Sequence, residues 1–241
     1  MDGAVGVCSH VLMNSPLQDL YLPSNRPIAL DLFCGGGGVA KGLQRAGWFV
    51  VGVDIAPQPR YCGDRFVQAD ALTVGLEGYD FIWSSPPCQR YSQQTHCRPG
   101  LAKDYPDLIG LMRERLVESS RQYGTVYVIE NVVGAPLRNP IMLCGRMFGL
   151  ELYRHRLFES NLDLGQPIHP AHHIPASKAG HWREGTVMSV AGHVAPMWKA
   201  RQVMEIDWMN RAELGEAIPP AYSEWIGGRA MEQLKQVRHG G

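Results

Sequence analysis

The stretch PIALDLFCGGGGVAKGLQRAGWFVVGVD, residues 27–54, decides the architecture. PIALDLF (27–33) is a short apolar run between Pro27 and a glycine cluster, and it reads as a buried strand. Four consecutive glycines (35–38) suit a tight turn, where a side chain would obstruct the backbone. VAKGLQRAG (39–47) then reads as a helix with Gly47 as its C-cap, and WFVVGVD (48–54) as a second strand ending on Asp54. Strand, glycine turn, helix and an acid 23 residues after Asp31 form a dinucleotide-type arrangement. The glycines let backbone approach a ligand, the helix N-terminus offers N–H groups to an anion, and Asp54 can take ribose hydroxyls. NAD, FAD and S-adenosylmethionine all use such a turn.

Outward from this unit the order continues. RFVQADA leads to a third strand near Asp70, whose carboxylate suits an adenine amino group. YDFIWSS (79–85) is a strand broken by Pro86-Pro87, YPDLIGLMRERLVESSRQYG (105–124) a helix, and TVYVIEN (125–131) a buried strand ending on an acid. Strands alternating with helices predict an α/β fold with a parallel, doubly wound, Rossmann-like sheet. Ligands collect at the carboxyl edge of such sheets, where the glycine loop, Asp54, Asp70, Cys88 and Glu130 all fall. After residue 160 the periodicity is lost in a Gly-, Pro- and His-rich segment. A short strand is expected at 186–190 and a final helix at 220–237. The expected organisation is an N-terminal extension (1–26), a catalytic and cofactor-binding domain (27–160), a small irregular recognition region (161–206) and a return to the catalytic domain (207–241).

Bulk properties exclude several classes. No run approaches the roughly 18 apolar residues of a membrane span. The first twenty residues lack a basic start followed by an apolar block, so a cytoplasmic protein is expected. Six irregularly spaced cysteines without a CxxC pair point to reduced thiols rather than a disulfide framework. His169, His172 and His173 lack a partner pair at zinc-finger spacing, so no metal is expected. The net charge is 0, yet residues 154–201 hold six Lys/Arg against three Asp/Glu, and six of the nine histidines. Such local basic excess can contact phosphate on a neutral protein.

The chemistry-bearing candidates are Cys88 in SSPPCQRYS (84–92), Glu130, and the Arg154/Arg156 pair of YRHRLFE. The diproline gives Cys88 a fixed direction, and nearby arginines favour thiolate. Glu130 can protonate or hold a heteroaromatic ring, and Arg154 and Arg156, two apart on an extended segment, project the same way toward a carbonyl oxygen. Singly, each also reads as packing, a helix cap or a solvent face.

Taken together, ALDLFCGGGGVAKGLQRAG, SSPPCQRYS, VIENV, RHRLF and LGEAIPPAY resemble the DNA cytosine-5 methyltransferase family in its unpermuted order. The compact chain resembles that family's bacteriophage members, which implies a bacterial or phage-infected host cell. The resemblance covers most of 27–160 and about 205–228. It implies that S-adenosylmethionine is the methyl donor, S-adenosylhomocysteine the product, double-stranded DNA the partner, and a monomer the working state. Cys88 would attack C6 of a flipped-out cytosine, Glu130 would contact N3 and the amino group, and Arg156 with Arg154 the O2 region. Asp31, Phe33, Gly35, Gly37, Gly38, Asp54, Ile55, Asp70, Ala71, Pro86, Glu216 and Ala217 would surround the donor. Gln89, Arg90, Ser92, Arg98, Lys178 and Arg183 would face DNA, with His172, His173, His181 and Trp182 as further candidates. Asn131 would brace the loop carrying Cys88. Leu152 stands where the family usually has Gln, and Glu216 where it usually has Asn. A cytosine in structured RNA is the alternative substrate, and a catalytically silent DNA-binding homologue the alternative class.

Overall fold

The computed structural model describes residues 25–91 and 106–239; most of the expected N-terminal extension, and the candidates Ser92 and Arg98, lie outside them. Seven strands form one sheet: β1 (Ile28–Leu32), β2 (Phe49–Asp54), β3 (Arg65–Gln68), β4 (Phe81–Ser84), β5 (Val126–Asn131), β6 (Ile141–Leu143) and β7 (Arg156–Ser160). Their spatial order is β3-β2-β1-β4-β5-β7-β6. The first five run parallel, whereas β7 is antiparallel to both β5 and β6. The sheet is therefore mixed, not wholly parallel as the alternation suggested. Only a single turn of 3-10 helix (Gly145–Phe148) lies between β6 and β7, no crossover α-helix carries the chain across the sheet, and β7 returns antiparallel beside β6.

Both faces of the sheet are buried, which explains why its strands are continuously apolar. Successive residues point to opposite faces. Ala29, Val50, Phe81 and Val128 join the core under α1 (Gly38–Arg45) and the last helix, while Leu30, Val51, Ile82 and Ile129 join the other layer. That second layer is closed by Met112 and Leu116 of α2 (Ile109–Tyr123), which ends at Gly124 with φ +71. On the first face α1 packs directly on α5 (Pro220–His239). A Cβ at Gly42 would lie 2.0 Å from the Pro220 carbonyl oxygen, so only glycine permits this approach.

Between Ser160 and Met197 the chain has neither helix nor sheet strand. The strand expected at 186–190 is instead two isolated bridges, Ala176 with Val187 and Leu152 with Met188. Regular structure resumes in α3 (Met197–Met204) and α4 (Arg211–Glu216). The latter opens with a capping box in which Asn210 and Glu213 satisfy each other's backbone N–H groups. Among the described residues no helix is long and apolar enough to cross a membrane.

Candidate active site

Strand register delivers the site. Leu32 pairs with Val53 and with Ser84, and Ser84 pairs with Ile129. The residues that follow each of these therefore emerge along one edge: the glycine loop, Asp54, the Ser85-Pro86-Pro87-Cys88 segment, and Glu130. Because β7 is antiparallel, with Leu157 opposite Asn131, its first residue, Arg156, reaches the same edge. Order reversal on either side of β1 opens a crevice there.

One cavity of about 420 Å³ occupies that crevice. One wall includes Phe33, Gly35, Gly36, Gly38, Asp54 and Ile55, with Glu216, Ala217 and Met209 also lining it. Its other end is lined by Pro86, Cys88, Gln89, Glu130 and Arg156. The glycine loop is held from two sides. Asp54 accepts hydrogen bonds from the Gly35 and Ala56 N–H groups, both at 3.0 Å, and the Trp208 indole donates to the Gly36 carbonyl at 2.8 Å. Phe33 has φ +60, a left-handed conformation that costs a non-glycine residue roughly 1–2 kcal/mol and turns the chain into the loop.

At the other end, Arg156 Nε lies 3.2 Å from Glu130 Oε1, with both side chains largely buried. Asn131 Nδ2 donates to the Pro86 carbonyl at 2.9 Å, the bracing contact expected of it. Burial pushes the Cys88 thiol above its usual range, and the Glu130 charge adds to this; Arg156 and then Arg154 oppose it. Burial likewise raises the Glu130 carboxyl, against the pull of Arg156, Ser85 and Arg154. The pocket thus biases both groups toward their protonated forms, with Arg156 acting against that bias at each.

Several expected residues stand elsewhere. Arg154 does not project beside Arg156: at φ +26 its side chain turns inward, donating to the carbonyls of Val190 and Gly215. Asp31 is fully buried, does not line the cavity, and beyond a weak interaction with the Ala40 backbone its carboxylate oxygens have no hydrogen-bond partner among the described residues. Burial and then the Asp54 charge hold it well above the usual carboxylate range. Gly37, Asp70 and Ala71 also lie off the cavity wall. Gly37 caps α1 at φ +86, and Asp70 accepts from the Leu72 N–H. Lys178, His181 and Arg183 line a separate open depression with Thr186. Trp182 packs instead against Trp198 and beneath the Lys199 ammonium, and His172 stacks on Tyr153. Met209, Glu213 and Ile218 were not anticipated as cavity residues. The Asn210–Glu213 capping pattern was the available signal for that wall, since it fixes where α4 starts.

The described fold is the S-adenosylmethionine-dependent methyltransferase fold. Three solved methyltransferase structures are similar to it, each covering 87% of this chain and 99% of its own. A protein described as a DNA modification methyltransferase encoded within an E. coli prophage has a TM-score of 0.57 at 15% identity. The S. pombe Dnmt2 methyltransferase gives 0.56 at 16%, and the Entamoeba histolytica methyltransferase EhMeth 0.52 at 11%. No family model and no curated protein sequence matches the chain.

Proposed function

We propose that this chain is a cytosine-5 methyltransferase that acts on double-stranded DNA with S-adenosylmethionine as donor. One observation carries the reading: a single cavity joins a cysteine on a diproline post and an acid–arginine pair to a glycine-loop cradle. The cradle fits the donor. A Cβ at Gly35 would meet nothing within 4 Å, so backbone faces open space there. Ile55 is 71% exposed beside Asp54, an apolar surface suited to the face of an adenine ring. Phe33, Gly35, Gly36, Gly38, Asp54 and Ile55 would hold the donor, which supplies an electrophilic methyl group.

The chain's own residues supply the activation. Cytosine C5 is a poor nucleophile until a group adds at C6, and Cys88 is placed to form that bond as thiolate. Glu130, biased toward its protonated form, can share a proton with N3 as electron density enters the ring. Arg156 holds the Glu130 carboxyl in place and offers donors toward the carbonyl side of the base. After substitution at C5, loss of the C5 proton and expulsion of the Cys88 sulfur restore the ring. A stacked base cannot reach this cavity, so the cytosine must be extruded.

Residues 161–206 are assigned to target recognition, with Lys178 and Arg183 facing DNA phosphate, and Gln89 and Arg90 closing beside the extruded base. So short a region offers few side chains to base edges, and a site of about two to four base pairs follows. The test is incubation with S-adenosylmethionine and 5-fluorocytosine duplexes of varied context. A denaturation-resistant adduct that disappears in Cys88→Ser is expected. An adduct on RNA alone would move the substrate to RNA, and none on either would refute the mechanism.

A further inference from the structure

Next to Arg156, four metal-ligating side chains converge. Cys144 follows β6, His155 immediately precedes β7, and His169 and His172 come from the irregular segment beyond it. Their ligand atoms all lie within 4.8 Å of one another. His155 Nε2 is 3.1 Å from His169 Nε2, and Cys144 Sγ is 3.3 Å from His172 Nε2. A tetrahedral zinc with bonds of about 2.0–2.1 Å to nitrogen and 2.3 Å to sulfur requires ligand atoms roughly 3.3–3.6 Å apart. Two of the separations are already within a few tenths of that range, and the widest closes by about an ångström through side-chain rotation.

Among the described residues no Asp or Glu joins this group, although three imidazoles and a thiol face one another. Neutral imidazole lone pairs turned toward a common centre repel unless a cation or a proton lies between them. A mixed thiolate and imidazole set selects a borderline-soft divalent ion, and four protein ligands leave no open coordination position. We propose that Cys144, His155, His169 and His172 form a structural zinc site that fastens the recognition segment to the β6–β7 edge of the sheet.

The fold gives such a site a purpose. The segment from Asn161 to Pro196 has no helix or sheet strand, and Ile168 within it is 93% exposed. From Gly165 to Thr186, the stretch that carries His169 and His172, no residue is buried, so apolar burial does little to order it and a metal cross-link can substitute. The site also adjoins the chemistry. Arg156 donates to the His155 carbonyl at 2.9 Å, so fixing His155 fixes the start of β7 and the arginine that meets Glu130. The inference does not depend on which substrate the cavity takes.

The experiment is metal analysis of tag-free protein, purified without added metal or chelator, together with cobalt(II) exchange. About one zinc per chain is expected, falling to roughly a tenth or less in both Cys144→Ser and His169→Ala. Cobalt-loaded protein should show an intense tetrahedral visible spectrum and a thiolate-to-cobalt charge-transfer band, the latter absent from Cys144→Ser. The cobalt spectrum of the unmutated chain needs no variant to fold. Zinc-free native protein that also gives no thiolate–cobalt band would overturn the site, as would undiminished zinc in both variants.

Discussion

Arg156 Nε and Glu130 Oε1 stand 3.2 Å apart across the β5–β7 pairing, and the pair closes the end of the cavity that Cys88 enters. The antiparallel return of β7 creates this contact. A parallel strand would have carried Arg156 to the opposite edge. The pair also sets the electrostatics of the thiol, since Glu130 raises its proton affinity and Arg156 lowers it.

A pH dependence follows. The Cys88 thiol is shifted upward, so its thiolate is a minor species near neutrality and grows about tenfold per pH unit. Adduct formation with 5-fluorocytosine DNA should therefore climb steeply between about pH 7 and 8.5. Arg156→Gln should move that climb to higher pH by removing the opposing cation. Rates that stay flat through this window, measured by single-turnover trapping, would contradict the assignment.

The two arginines should separate by phenotype. Arg154→Gln withdraws donors from the Val190 and Gly215 carbonyls and should cost about 1–3 kcal/mol of stability. Arg156→Gln should lower methyl transfer by roughly 10²–10³-fold and also cost some stability, since it leaves the largely buried Glu130 without its cation. Urea denaturation and single-turnover rates on both variants distinguish the roles; equal loss of activity at unchanged stability would restore Arg154 to the pocket.

Asp31 predicts an unusual stabilising substitution. Its folded-state carboxyl is raised well above the unfolded value, so the folded chain binds more protons between those two values. Stability contributed by the protonated form is present at low pH and is lost as pH rises through the shifted value. Asp31→Asn should add about 1–3 kcal/mol at pH 8 and little at pH 4. Denaturation curves at the two pH values measure this, and a loss of stability at pH 8 would show that the carboxylate has a partner.

Glu216 places a carboxylate on the cavity wall. It should favour the sulfonium donor over its neutral thioether product by charge alone. Glu216→Gln should reduce that preference about threefold, consistent with an exposed charge. Calorimetric titration of both ligands provides the ratio; an unchanged ratio would place the carboxylate out of range.

Much of this was legible in one dimension because its causes are local. The apolar run before the glycines, the glycines themselves and the acid after the second strand act through backbone geometry and short-range burial. Diproline rigidity at Cys88 and the buried strand ending on Glu130 have the same character. The bracing of Pro86 by Asn131 was legible only through the family resemblance, and the pairing of β4 with β5 brings the two residues together.

Other features required the chain to be folded. Alternation along the sequence said that Arg154 and Arg156 share a side, yet a positive φ at Arg154 turns it into the interior. Asp31 sat in the right motif but is sealed from the cavity beneath it. The histidines offered no metal spacing because Cys144 and His155 flank the β6–β7 connection and His169 and His172 come from the irregular segment after β7. By itself the sequence determined which strands and turns would form and which thiol and acid would meet at one edge. The tertiary structure decided which arginine faces that acid and which histidines face one another, because strand direction and loop path bring together residues that no local pattern connects.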